Sequence, residues 1–368
     1  MVTPMSLDAP DTVGTRYWHA LDDGRIQCDT CPRACTLREG QRGVCFVRGC
    51  VDGQIALTSY GRSIGLCLDP IEKKPLFHFL PGSAVLSFGT AGCNLKCSFC
   101  QNWDMTKSAD TESRSQWASP EEIAQTAVRL GADSVAFTYN DPVVFLEYAI
   151  DTAMECRQQG VRTVAVTAGY VNADPRAALF AQLDAANIDL KAFSDAFYRK
   201  LARGRLAPVL ETIEYAHHET PTWVELTTLV IPGYNDSDAE LAALCSWVAD
   251  RLGPDVPLHF TAFHPDYKMR NVPPTPVDTL RRARRMAHRH GLHHVYTGNV
   301  ADAEGQRTRC ATCRMALVDR TWHSVAEYRI TPGGTCPSCD TTIPGRFAAG
   351  PGDWSPRRVA VSVEGPGP

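Results

Sequence analysis

The sequence predicts an α/β fold built on a parallel sheet, closed as a barrel or left open and doubly wound, with small cysteine-rich modules on either side. Three observations predict it. From residue 84 to residue 297, apolar runs of strand length alternate with helical stretches in about seven steps, and such alternation calls for a parallel sheet with helical crossovers. The unusual polar clusters fall at the C-terminal ends of these strands, where parallel sheets build their sites. Most of the 15 cysteines fall into three clusters, one before the alternating region, one at its start and one after it.

Composition narrows the class. A chain of 368 residues has room for one large domain and one or two small ones. Its 44% hydrophobic and 21% charged residues are ordinary for a globular protein. A net charge of -4 supplies no field toward nucleic acid or anionic membrane, so neither is expected as a partner. No apolar run reaches transmembrane length. The first 20 residues carry Asp8, Asp11 and Arg16 and no apolar h-region, which excludes a signal peptide and predicts a cytoplasmic location. Disulfides are rare there, so clustered cysteines read as metal ligands.

Residues 1–83 form the first predicted module. Its first 20 residues are polar and proline-containing and are expected to be loosely ordered. Cys28, Cys31 and Cys35 follow, with Cys45 ten positions later. Four thiolates suit a closed tetrahedral site. Structural zinc, a second iron–sulfur cluster and no metal all stay open for this set.

Residues 84–301 carry the alternating region. Ala84–Phe88 reads as a strand released by Gly89 and Gly92 into a loop with Cys93, Cys97 and Cys100, spaced C-x3-C-x2-C. Iron–sulfur clusters normally take four thiolates. Three leave one iron without a protein ligand, and an open position is where a metal site does chemistry. The same spacing also suits a zinc knuckle or three buried free thiols. Ser119-Pro120-Glu121-Glu122 is a capping box with proline at the first helical position, and Gly131 closes that helix. Strands are predicted at 134–138, 163–167, 188–193, 223–231, 258–263 and 294–297. Helices are predicted at 143–159, after Asp174, up to about 218, at 237–252 and at 276–290. Tyr139-Asn140-Asp141-Pro142, Ala168-Gly169-Tyr170, the pair Asp189 and Lys191, and His264-Pro265-Asp266-Tyr267-Lys268 lie at strand ends. Their convergence argues for an enzyme. Arg281, Arg282, Arg284, Arg285 and Arg289 make a basic helix, read as a solvated outer face rather than an RNA or acidic-partner patch.

Residues 302–348 change pattern. Cys310-x2-Cys313 and Cys336-x2-Cys339 bracket a short β-rich insert, which reads as a zinc ribbon, with rubredoxin-like iron as the alternative. Residues 349–368 are rich in Pro and Gly and are expected to be a disordered tail.

Taken together, Asp69–Gly82, the central cysteines with Gln101-Asn102-Trp103, Thr138–Pro142, Asn187–Phe193, Phe263–Met269 and Thr297–Val300 resemble the AmmeMemoRadiSam system radical S-adenosylmethionine (SAM) enzymes, relatives of the pyruvate formate-lyase activating enzymes. The resemblance spans roughly residues 25–345. It implies a partial (β/α) barrel of the radical SAM type. It implies that Cys93, Cys97 and Cys100 hold a 4Fe-4S cluster, with Phe99 in the motif's aromatic place. Tyr139, Asn140 and Asp141 would form the turn that binds SAM's amino group, with Asp141 where close relatives usually have Glu. Thr167, Asp189 and Lys191 would approach the ribose and carboxylate of SAM. The alternative for Asp189 and Lys191 is a structural ion pair. The implied activity is an oxidoreductase reaction: reductive cleavage of SAM to methionine and a 5′-deoxyadenosyl radical, which abstracts hydrogen from an unidentified substrate. The implied partners are a reducing protein such as flavodoxin or ferredoxin, and the Memo-like and AMMECR-like proteins of the family's name. The competing expectations are an activase that places a glycyl radical on a partner protein, and a non-catalytic metal-bearing scaffold or nucleic-acid binder.

Overall fold

The computed structural model describes residues 5–107, 115–354 and 357–363. Among them, seven parallel strands make the centre: β1 (Ala84–Gly89), β2 (Ser134–Phe137), β3 (Arg162–Thr167), β4 (Ala185–Asp189), β5 (Trp223–Val230), β6 (Leu258–Ala262) and β7 (Val295–Gly298). They pair strictly in chain order, and β1 does not pair with β7, so the sheet is a partial barrel. The larger crossover helices are α1 (Pro120–Arg129), α2 (Leu146–Gln158), α3 (Ala173–Phe180), α4 (Ala207–Glu219), α5 (Asp238–Leu252) and α6 (Val277–Arg289). No helix among the described residues is long and apolar enough to cross a membrane.

Local chemistry sets the element ends. At α1 the Ser119 hydroxyl accepts from the Glu122 amide (3.2 Å), and the Glu122 carboxylate accepts from the Ser119 amide (2.7 Å), the reciprocal capping box. The stretch 143–159 divides: a 3-10 turn over Pro142–Phe145, capped by the Asp141 side chain, precedes α2. β4 begins and ends earlier than 188–193. Its ladder stops at Asp189 because the next amides go elsewhere, that of Lys191 to the Tyr198 hydroxyl (3.1 Å) and that of Phe193 to the Glu240 carboxylate (2.9 Å). The arginines of α6 are an outer face: Arg281 pairs with Asp302, Arg282 with Asp238, and Arg284 donates to the Val295 carbonyl.

The sheet reaches further back than residue 84. Arg62–Pro70 lies antiparallel against β1, with Ile64, Leu66 and Leu68 buried on alternate positions. The N-terminal residues are also placed: Val13–Gly14 pairs with Gln54–Leu57, and Trp18–Ala20 with Ile26–Cys28. The tail is ordered over its described part. Gly352 and Trp354 donate backbone N–H groups to the carbonyls of Pro81 and Gly82, and Val359–Ala360 adds a strand to Arg62–Pro70. Trp354, Val361 and Val363 pack against the main core, so apolar residues between the prolines anchor the segment. Residues 355–356 and 364–368 of the expected tail lie outside the described residues.

The C-terminal ribbon consists of Thr308–Arg309, Ala316–Thr321 and Ser324–Tyr328 around its own small core. It is docked through buried polar groups. The Arg320 guanidinium lies 3.5 Å from the Glu72 carboxylate and donates to the Phe77 carbonyl (2.7 Å). His78 donates Nδ1–H to the Pro344 carbonyl (2.6 Å), and its Nε2 pairs with the Tyr296 hydroxyl (2.5 Å). Below them Glu225 of β5 accepts the Phe77 and His78 amides (3.0 and 2.8 Å) and pairs with His259 (2.7 Å). The stretch 71–82 is thus clamped between barrel and ribbon.

Candidate active site and metal centres

A cavity of about 440 Å³, within the range of small-molecule sites, opens at the C-terminal ends of β1 to β7. The loop after β1 brings Cys93, Cys97 and Cys100 to its wall, and no other cysteine lines it. That loop is built by close approach. A side chain at Gly89 would meet the Thr138 carbonyl, and one at Gly92 (φ +85°) would meet the Cys45 carbonyl. Cys97 is buried, Cys93 and Cys100 half-buried. Burial pushes the Cys93 thiol up to about 12, with the Asp141 charge adding to it, and raises the Cys97 thiol as well. A metal must therefore displace these protons when it binds. Phe99 lines the cavity with its ring 5.6 Å from that of Phe197.

The turn after β2 has a different division of labour from the expected one. Asn140 ties down the cysteine loop: its side-chain N–H group donates to Thr90 Oγ1 (3.1 Å) and to the carbonyls of Ala91 (3.3 Å) and Gly92 (3.0 Å), while its oxygen accepts from the Thr90 amide (3.2 Å). Asp141 faces the cavity, yet its carboxylate already accepts from the amides of Val143 (3.1 Å) and Ala168 (3.0 Å) and from the Thr167 hydroxyl (2.9 Å). Burial raises its pKa, and these three bonds oppose the rise. A carboxylate has about four acceptor positions, so one is left for a ligand. Thr167 itself does not line the cavity; it positions Asp141.

Tyr139 sits at φ +70°, a left-handed conformation that costs a non-glycine residue about 1–2 kcal/mol. Its hydroxyl donates to Asp69 (3.0 Å) and lies 2.8 Å from Cys67 Sγ. Asp69 also accepts from Lys74 (2.6 Å) and Lys73 (2.9 Å). Burial works against the Asp69 charge, and the two lysines overcome it, holding the carboxyl well below the usual carboxylate range. This network fixes the part of the cavity wall that Lys73, Lys74 and Tyr139 form. Asp189 and Lys191 form an ion pair (2.7 Å) that lines the same cavity. Burial opposes the Lys191 charge, but Asp189 and Cys97 raise its pKa overall, so it is an ammonium beside the cysteines.

Several lining residues escape sequence reasoning. His259 carries no motif, and Trp322 and His323 come from the hairpin turn of the ribbon. The ribbon therefore supplies part of the cavity wall, although its own pattern speaks only of metal.

The three cysteine sets differ in geometry. A tetrahedral ion with bonds of about 2.3 Å holds its sulfurs about 3.8 Å apart. Cys310 and Cys339 are 3.6 Å apart, as are Cys313 and Cys336, and all four sulfurs lie within 4.8 Å of one another. Hydrogen bonds from Thr341 push Cys339 down to about 6, favouring the thiolate a metal needs. Among the described residues no other cysteine set converges this closely. Cys93, Cys97 and Cys100 do not form such a close group. Cys28, Cys31, Cys35 and Cys45 line a separate small cavity.

Residues 88–245 match the Radical SAM superfamily. Over 304 residues the chain is 42% identical to an uncharacterized protein of Methanocaldococcus jannaschii, covering 83% of this chain and 90% of that one. It is 28% identical over 151 residues to the GTP 3′,8-cyclase of Alkaliphilus oremlandii, covering 40% of this chain and 47% of that one. Among solved structures it is similar to a radical SAM methyltransferase from Sphaerobacter thermophilus, with TM-score 0.46 and 17% identity over 80% of this chain and 81% of that one. With three thiols at the mouth of a parallel partial barrel and the match of residues 88–245 to that superfamily, the chain belongs to the radical SAM superfamily and is a radical SAM enzyme.

Proposed function

We propose that Cys93, Cys97 and Cys100 hold the catalytic 4Fe-4S cluster, and that SAM lies between them and the β2–β4 strand ends. The observation that carries this is the cavity lining: three thiols of one loop and no fourth. Bound there, the cluster supplies the electron that cleaves SAM to methionine and a 5′-deoxyadenosyl radical, the group that abstracts hydrogen. The chain's own residues do the rest. The last acceptor position of Asp141 faces SAM's ammonium. The Lys191 ammonium, held by Asp189, faces its carboxylate. Phe99 and Tyr139 close apolar surface around the adenosyl part and exclude water. Asn140 and Thr167 hold the loop and Asp141 in place without touching the ligand.

The resemblance of Asp69–Gly82 and Phe263–Met269 supports assignment to the AmmeMemoRadiSam group, with Memo-like and AMMECR-like proteins as partners. A flavodoxin or ferredoxin would supply the electron. Fifteen free cysteines suit the reducing cytoplasm. The C-terminal four take zinc, which their sulfur spacing supports and which leaves no position open for chemistry.

The test is anaerobic reconstitution followed by electron paramagnetic resonance of the reduced protein with and without SAM. SAM should alter the cluster signal in the native chain and have no such effect in Cys93→Ala. A signal indifferent to SAM in both would refute the placement.

A further inference from the structure

The N-terminal cysteines and the C-terminal cysteines are both sets of four, yet the fold treats them differently. The C-terminal sulfurs meet at tetrahedral distances, while no three of Cys28, Cys31, Cys35 and Cys45 lie within 4.8 Å of one another. Instead these four line one small cavity together. A zinc ion draws its four sulfurs to about 3.8 Å from one another. A cubane binds each of four thiolates to a different iron and so holds them further apart.

The lining is built for a buried anion. Arg48 is 2% exposed and Arg33 partly buried, and both border the cavity. Arg48 places its Nη atoms on Glu147 (2.6 and 3.1 Å), but its buried Nε has no partner. Arg33 donates Nε–H to the Asn94 carbonyl (2.6 Å), and its buried Nη2 has none. A buried donor left unpaired costs about 1–3 kcal/mol, so two beside the same cavity point to an acceptor there. Backbone amides also aim at the sulfurs: that of Arg33 at Cys31, that of Val44 at Cys35, and those of Val47 and Arg48 at Cys45. Such N–H donors offset thiolate charge and set a cluster's potential.

We infer that Cys28, Cys31, Cys35 and Cys45 hold a second 4Fe-4S cluster, ligated by four thiolates and closed to SAM, rather than zinc. It sits back to back with the catalytic loop. Asn94, next to Cys93, lines its cavity, and the Cys45 carbonyl abuts Gly92.

The experiment is iron and acid-labile sulfide analysis of the anaerobically reconstituted full chain. The inference expects about eight of each per chain, since two cubanes carry four apiece. About four of each overturns it, whether or not extra zinc makes up the ligand count. The triple variant Cys93→Ala/Cys97→Ala/Cys100→Ala should keep about four irons and show a reduced-cluster signal that SAM does not alter. A folded triple variant without iron overturns the inference. If that variant fails to fold, the native iron count decides alone. Eight irons with no response to SAM in the native chain would leave this second cluster standing and count against the catalytic placement instead.

Discussion

Asn140 donates its side-chain N–H group to the Gly92 carbonyl at 3.0 Å, so the turn after β2 holds the cysteine loop directly. Asn140 is 7% exposed and makes all its side-chain bonds to that loop. Replacing Asn140 by Ala leaves several buried partners unpaired, which should cost about 2–4 kcal/mol. Denaturant unfolding and the rate of iron loss to a chelator both report it. An unchanged midpoint with unchanged iron retention would show that the loop holds itself.

Asp141→Asn should weaken SAM binding about tenfold, close to 1.4 kcal/mol, because the charge facing the ammonium is removed while the side-chain shape stays. Equilibrium binding to the reconstituted protein measures it. Iron content should not change, since Asp141 is not a ligand. Loss of iron, or undiminished affinity, contradicts the assignment.

Cys336→Ala should lower zinc by about one per chain and leave the iron–sulfur absorbance intact, since a four-thiolate site cannot hold its ion firmly with three. Metal analysis decides this. Undiminished zinc would move the ion elsewhere.

Acid should loosen the ribbon's dock. Burial pushes His78 down to about 4, and its Nδ1–H donates to the Pro344 carbonyl. A histidine whose folded pKa lies below its unfolded value contributes stability above the unfolded value, about 6.5, and loses it as pH falls toward the folded one. Stability should therefore fall by on the order of 2–3 kcal/mol between pH 6.5 and 4. His294, packed against His78 and also lowered by burial, adds to the same slope. In His78→Gln, unfolding followed across this range should show a shallower slope. An identical slope would remove His78 from the account.

The sequence shows the parallel sheet clearly because capping signals such as Ser119-Pro120 and strand-length apolar runs are local. It shows the three cysteine sets equally well, since ligand spacing is written in one dimension. What it hides is long-range. Nothing near Asn140 says that its amide serves Gly92, 48 residues earlier, or that Thr167 serves Asp141 rather than a ligand. Trp322 and His323 reach the cavity only because Arg320 and Pro344 dock the ribbon. In the described part of the tail the Pro- and Gly-rich composition masks three anchoring apolar residues, Trp354, Val361 and Val363. The spread of the N-terminal sulfurs against the convergence of the C-terminal ones is three-dimensional, and no spacing along the chain records it.

The central claim is tested most directly by SAM cleavage in chemically reduced, reconstituted protein. The native chain should form 5′-deoxyadenosine even without its substrate, and Cys93→Ala, Cys97→Ala and Cys100→Ala should each abolish it. Cys28→Ala should leave cleavage detectable in whatever protein stays folded. Cleavage that survives in Cys97→Ala and disappears in folded Cys28→Ala would contradict the account.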